Sequence, residues 1–195
     1  MGKGRLEAFT DGVITIMVLE MKVPHASDLA ALTERVPVFS AYVLSFVNVG
    51  IFWANHHHML HATAHIDGRV LWANLFLLFW LSLVPFVIRW IDEAGFSTLP
   101  TAAYGVVLAM AAVGYTLLQA AIVARNGRSS ALALAVGSDV KGKLSLAIYV
   151  VSVPLAFVNP WISISLYVVV AAMWLGPTGA SRRGRSRGHL KGRRG

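Results

Sequence analysis

The side chains with the most chemistry to offer stand in one otherwise apolar run: Asn48, Trp53, Asn55, His56, His57, His58 and His61. His57, His61 and His65 recur at i, i+4 and i+8, which puts them on one face of a helix. His58-x-x-His61 is a second metal-like spacing. Zinc or iron would want further His or carboxylate ligands from other elements. The remaining histidines, His25 and His189, fall in a loop and in a basic tail, and cysteine is absent. A histidine-metal enzyme therefore ranks last among the readings. Histidine is the side chain that ordinarily changes charge around neutral pH, which makes proton handling a separate option.

Asp11 is the second costly group. A polar stretch containing Arg5, Glu7, Thr10 and Asp11 runs directly into apolar sequence ending at Glu20, Lys22 and Pro24. An acid at the start of a membrane span calls for a partner. Asp11 would accept from an indole N–H or an imidazole of the second span, and Asn74 of the third would bridge. The plainer account of the same residues is helix–helix adhesion. Nucleophilic catalysis has little support. There is no G-x-S-x-G, and Ser45, Ser82 and Ser152 sit in apolar helices where hydroxyls bond their own backbone. No glycine-rich phosphate loop appears. The expectation is no enzyme and no cofactor.

These residues need a membrane scaffold to hold them. The chain is 56% hydrophobic and 13% charged over 195 residues. Its mean hydropathy is +0.64. A soluble domain carries nearer a quarter charged residues. A bilayer core takes about 20 apolar residues per helix, and roughly six segments qualify. They cover about residues 6–23, 38–60, 70–91, 99–124 and 144–158, with a sixth that follows Asn159-Pro160 and ends at Gly176-Pro177. The linker 125–143 contains ALALAVG, too short to span and suited to an interfacial helix or loop. The N-terminal run does not end in the small residues of a signal peptide.

Loop charge sets the orientation. With both termini in the cytoplasm, Lys3, Arg5, Arg69, Arg125, Arg128, Lys141, Lys143 and the tail arginines lie inside, against Lys22, Arg35 and Arg89 outside. The net charge is +8, and its excess sits largely in the tail SRRGRSRGHLKGRRG. That tail reads as a disordered anchor on anionic lipid rather than a nucleic-acid binder. The domain division is then 1–177, a six-helix membrane domain, and 178–195, the cytoplasmic tail.

On the first helix, Phe9, Val13, Ile16, Glu20 and Val23 form a broad stripe. If several subunits surround an axis, apolar rings at Ile16 would make a constriction that gates by dewetting, with Thr15 or Leu19 adjoining. Taken alone, the stripe is better read as packing on lipid or on other helices, as most apolar stripes do.

Arg5-x-x-x-Phe9-Thr10-Asp11-Gly12-Val13 resembles the R-x-x-x-F-S-D-G-V motif of the transmembrane protein 175 family of potassium channels, in its prokaryotic single-repeat form. Thr10 stands where serine is usual. Ser45-Phe46, Gly50-Ile51-Phe52-Trp53 and His56-His57 are similar to the S-F and G-x-F-W-x-x-H-H elements. Leu71-Trp72-Ala73-Asn74-Leu75, Pro85-Phe86 and Trp174 match later spans. The resemblance implies an all-α homotetramer of six-helix subunits in the plasma membrane, with the first helices around a central potassium pore. It implies a constriction at Ile16, layers at Thr15 and Leu19, and hydrogen bonds from Arg5, Thr10 and Asp11 to Trp53, His57 and Asn74. This chain has about one helical turn, roughly 6 Å, fewer than is usual between Gly12 and Pro24, which draws Glu20 toward the constriction as a cation-attracting ring. The implied function is passive, potassium-favouring conduction. The rivals are a proton-coupled or proton-conducting transporter using Asp11 and the histidines, and a nonconducting scaffold. A transporter would more often show related halves or broken helices, and neither is evident in the sequence.

Overall fold

The computed structural model describes residues 4, 8, 10, 36–61, 63, 66–126 and 139–175. These residues hold helices and short connections, with no strand among them. Six helices follow the three N-terminal residues: α1 (Val36–His61), α2 (Gly68–Ser82), α3 (Val84–Glu93), α4 (Thr98–Asn126), α5 (Val140–Val158) and α6 (Pro160–Leu175). Together, α2 and α3 make one membrane-length unit, Gly68–Glu93. Five helical units are thus described. The predicted first span lies outside the described residues apart from Gly4, Ala8 and Thr10, which are helical. The ALALAVG linker and the basic tail also lie outside them. Gly68–Glu93, Thr98–Arg125 and Val140–Val158 are long and apolar enough to cross a membrane. At about 1.5 Å per residue the 26 residues of α1 reach about 39 Å, more than a hydrocarbon core of about 30 Å.

Helix ends follow from local chemistry. Asp67 accepts from the Val70 amide at 3.0 Å and caps α2, and Asp139 accepts from the Gly142 amide at 2.8 Å and caps α5. That cap starts α5 four residues before the apolar run, so Lys141 and Lys143 are helical rather than in a loop. Asn159 Oδ1 accepts from the Trp161 amide at 2.9 Å, and Pro160 occupies the first position of α6, where its missing N–H costs nothing.

The third span departs from the uninterrupted helix expected from its hydropathy. It breaks at Leu83, because Pro85 has no N–H to continue the ladder and its ring crowds the preceding turn. At the far end of α3, Gly95 and Phe96 both take positive φ, +61° and +58°. Phenylalanine tolerates that region poorly. Here its ring stacks on Trp161 at 5.3 Å and 14°, which offsets part of the strain.

Long α4 is the hub, packed against α2, α3, α5 and α6. Gly114 lets α4 meet α2 closely: a Cβ there would lie 2.9 Å from the Leu77 Cα. Small residues at such crossings are what membrane helices use to approach. Two apolar clusters result. One joins Met59, Leu60, Val70, Leu77, Leu81, Leu118 and Ile122 near one end of the bundle. The other gathers Val84, Val87, Ile88 and Ile91 of α3 around Tyr104, Tyr149 and Tyr167. The break at Leu83 falls between α2, which serves mainly the first cluster, and α3, which serves the second.

Candidate functional site

Asn74 is fully buried on the face of α2 that also carries Val70, Leu77, Leu78 and Leu81. A bare amide there would be expensive in a membrane. Its oxygen lies 2.6 Å from His56 Nε2 on α1, and its nitrogen donates to Thr10 Oγ1 at 3.3 Å. An amide oxygen can only accept, so Nε2 carries the proton. Thr10 and His56 are buried as well, at 0% and 3% exposure. The amide thus bridges three elements: α1, α2 and the N-terminal helix.

The resemblance implied bonds from Arg5, Thr10 and Asp11 to Trp53, His57 and Asn74, and among the described residues the Thr10–Asn74 bond is present. The histidine that bonds Asn74 is His56. One residue on, and about 100° round the helix, His57 is exposed, and its ring lies 5.7 Å from Trp53 and 6.0 Å from His58. Trp53 is itself 41% exposed, four residues earlier on the same side as His57. Arg5 and Asp11, expected in the network, and Thr15, Ile16, Leu19 and Glu20, expected at the pore, lie outside the described residues. So do His65 and the side chain of His61 from the i, i+4, i+8 series. Among the described residues no group of three or more His, Asp or Glu could hold a metal ion.

A second buried polar cluster was not foreseen. Tyr104 Oη lies 3.2 Å from Ser45 Oγ and accepts from Asn48 Nδ2 at 3.4 Å. Tyr149 Oη donates to Asn48 Oδ1 at 3.4 Å, and Tyr167 Oη donates to the Thr101 carbonyl at 3.0 Å. The Tyr104 and Tyr167 rings meet edge to face, 5.2 Å apart at 88°. These bonds tie α1, α4, α5 and α6 without any charge. The available signal was the set of tyrosines at 104, 149 and 167 within apolar spans, where a phenol must find a partner. Beside this cluster is a cavity of about 30 Å³, room for one or two waters, lined by Asn48, Asn55, Tyr115, Tyr149 and Trp174.

The charges stay at the ends. Arg125 approaches Asp67 at 4.0 Å, and both are exposed enough for the pair to contribute little. Lys141 donates to the Met173 carbonyl at 3.0 Å, and its ammonium sits 5.8 Å from the Trp174 ring centroid. The membrane body therefore has a neutral interior among its described residues, held by amide, imidazole and hydroxyl groups. Such groups orient helices by hydrogen-bonding across them.

Comparison with known proteins fits this picture. Residues 5–85 match the family described as endosomal/lysosomal potassium channel TMEM175. That range contains Thr10, His56 and Asn74. A protein of Chryseobacterium sp. (strain P1-3) named as a potassium channel is 47% identical over 181 residues, covering 91% of this chain and 94% of that protein. The crystal structure of a lysosomal potassium-selective channel TMEM175 homolog from Chamaesiphon minutus matches with a TM-score of 0.73 and 25% identity, over 89% of this chain and 96% of that one. A cattle protein named endosomal/lysosomal proton channel TMEM175 is 39% identical over 75 residues, which are 30% of this chain and 16% of the cattle protein.

Proposed function

The chain belongs to the TMEM175 family, a family of ion channels rather than enzymes, and from that premise we propose that it is a passive, potassium-favouring cation channel. The observation that carries the reading is the likeness to a named potassium channel along nearly the full length of both chains. Four subunits surround an axis, each contributing its first helix to the pore. Both termini face the cytoplasm across the plasma membrane, and the tail 178–195 rests on anionic lipid. Potassium is the permeant ion, and no cofactor takes part.

In this reading the pore helix carries two devices. Its start is fixed to its own subunit by Thr10 through Asn74 and His56, and Arg5 and Asp11 extend the same anchor toward Trp53 and His57. Further along, Ile16 from each subunit forms an apolar constriction, with Thr15 and Leu19 in the adjoining layers. A ring of branched side chains conducts only when it is wide enough to stay wet. Glu20 supplies a ring of negative charge that raises the local cation concentration.

A second reading has one specific observation behind it: the cattle relative is named a proton channel. Proton conduction would use Asp11 and the histidines. One experiment separates the two. Vesicles loaded with potassium and diluted into sodium are followed with a pH-sensitive acridine dye. Quenching that requires a protonophore indicates potassium efflux. Quenching that requires valinomycin but no protonophore indicates that protons cross the protein, and intact tetramers that quench only when both ionophores are added leave a nonconducting scaffold.

A further inference from the structure

The third span carries a row of aromatic residues in which Trp72, Phe79 and Phe86 are exposed and Phe76 and Trp90 half-buried, with Leu83 at the break; Leu83 and Trp90 also pack against the core. The intervals are four, four minus one, and so on, so the row stays on one side of the helix across α2 and α3. Trp72, Phe79 and Phe86 are 73%, 56% and 65% exposed. At 3.6 residues per turn, Trp72 and Phe79 point roughly 140–160° away from Asn74. Asn74 faces Thr10 of the first helix, so the row faces away from that helix.

We propose that this row is a lipid-facing surface whose length sets the bilayer thickness the protein fits. Three observations choose lipid over a second copy of the chain. The first is direction, and it rests on the pore reading above: a face opposite the pore helix points away from the axis. The second is bulk. Membrane helices that pack closely present small residues, as α4 does to α2 at Gly114, whereas this row has none. The third is spacing. Trp72 and Trp90 are eighteen residues apart, about 27 Å of helix, close to the hydrocarbon thickness of about 30 Å, with phenylalanine between them. Tryptophan collects at the two membrane–water interfaces.

The rest of the subunit repeats the pattern. Trp161, exposed and stacked on Phe96, lies at the Trp90 end. Trp174, with Lys141 over its ring, lies at the end where α2 begins. The fit is to a bilayer at the thin side of the ordinary range, because the 16 residues of α6 reach only about 24 Å. Thicker bilayers would be compressed around the protein, at a cost of fractions of a kcal/mol per ångström.

The absence of cysteine makes the test direct. Phe79→Cys and Phe86→Cys are spin-labelled in the full chain, reconstituted as the assembled protein in phosphatidylcholine vesicles, and their collision rates with oxygen and with a water-soluble nickel chelate are compared. The expected ratio favours oxygen at both sites and is larger at 79, which lies nearer the middle of the Trp72–Trp90 interval. A label that neither reagent reaches would mean that another subunit covers the row, and a label favouring nickel would mean water covers it; either overturns the proposal. If neither variant assembles, brominated lipid supplies the readout: the wild type should lose more fluorescence than Trp72→Phe, and equal quenching overturns the proposal. Potassium flux is read in the same vesicles. Flux with inaccessible labels removes the lipid-facing surface and leaves the channel, while oxygen-accessible labels without flux do the reverse.

Discussion

Replacing Asn74 with leucine keeps the branching and the number of side-chain heavy atoms and removes both hydrogen bonds, the one from His56 at 2.6 Å and the one to Thr10 at 3.3 Å. The His56 N–H then loses this acceptor. Interhelical hydrogen bonds in membrane proteins contribute about 0.6 kcal/mol on average and about 1.7 at most. Two such bonds therefore place the loss at about 1–3 kcal/mol. Reversible unfolding in mixed micelles, followed by tryptophan fluorescence, should show it as a lower midpoint with an unchanged slope. The His56→Phe variant completes a double-mutant cycle, and the pair should couple by about 1 kcal/mol. Additivity within about 0.3 kcal/mol would refute the reasoning, since it would mean that the short contact carries no energy of its own.

Gly114→Ala should lower the same midpoint by about 1–3 kcal/mol, because the new methyl would sit 2.9 Å from the Leu77 Cα and force α2 and α4 apart; an unchanged midpoint would show that the crossing gives freely. Tyr167→Phe should cost about 0.5–1.5 kcal/mol by removing the bond to the Thr101 carbonyl, measured in the same titration. Arg125→Gln should change stability by less than about 0.5 kcal/mol, as its carboxylate partner is 4.0 Å away and solvated. Ile16→Asn should raise potassium flux and weaken discrimination against sodium, since a polar ring stays wet; flux equal to wild type would place the constriction elsewhere.

Much of this architecture was legible in residue type. Asn74 and Thr10 stood out because polar groups in apolar spans must find each other. That His56 would also bond Asn74 did not stand out, because hydropathy does not say which side of α1 faces α2. The break at Leu83 could be suspected from Pro85, but an apolar run of 26 residues reads as one span until the missing amide is counted. The tyrosine cluster escaped for a related reason. Tyr104, Tyr149 and Tyr167 lie on three different helices, and nothing local to any of them indicates that Asn48 sits between two of their hydroxyls. The family motif reached further than periodicity did, since it joined Thr10 to Asn74 across the chain.

The central claim is passive conduction that favours potassium. Its most direct test is a planar bilayer holding the wild-type protein, with potassium chloride on one side, sodium chloride on the other and equal pH. The account predicts a current whose reversal potential is displaced toward the potassium equilibrium potential and does not move when a pH gradient is imposed. A reversal potential that follows the pH gradient, or no current from protein verified as an intact tetramer, would contradict it.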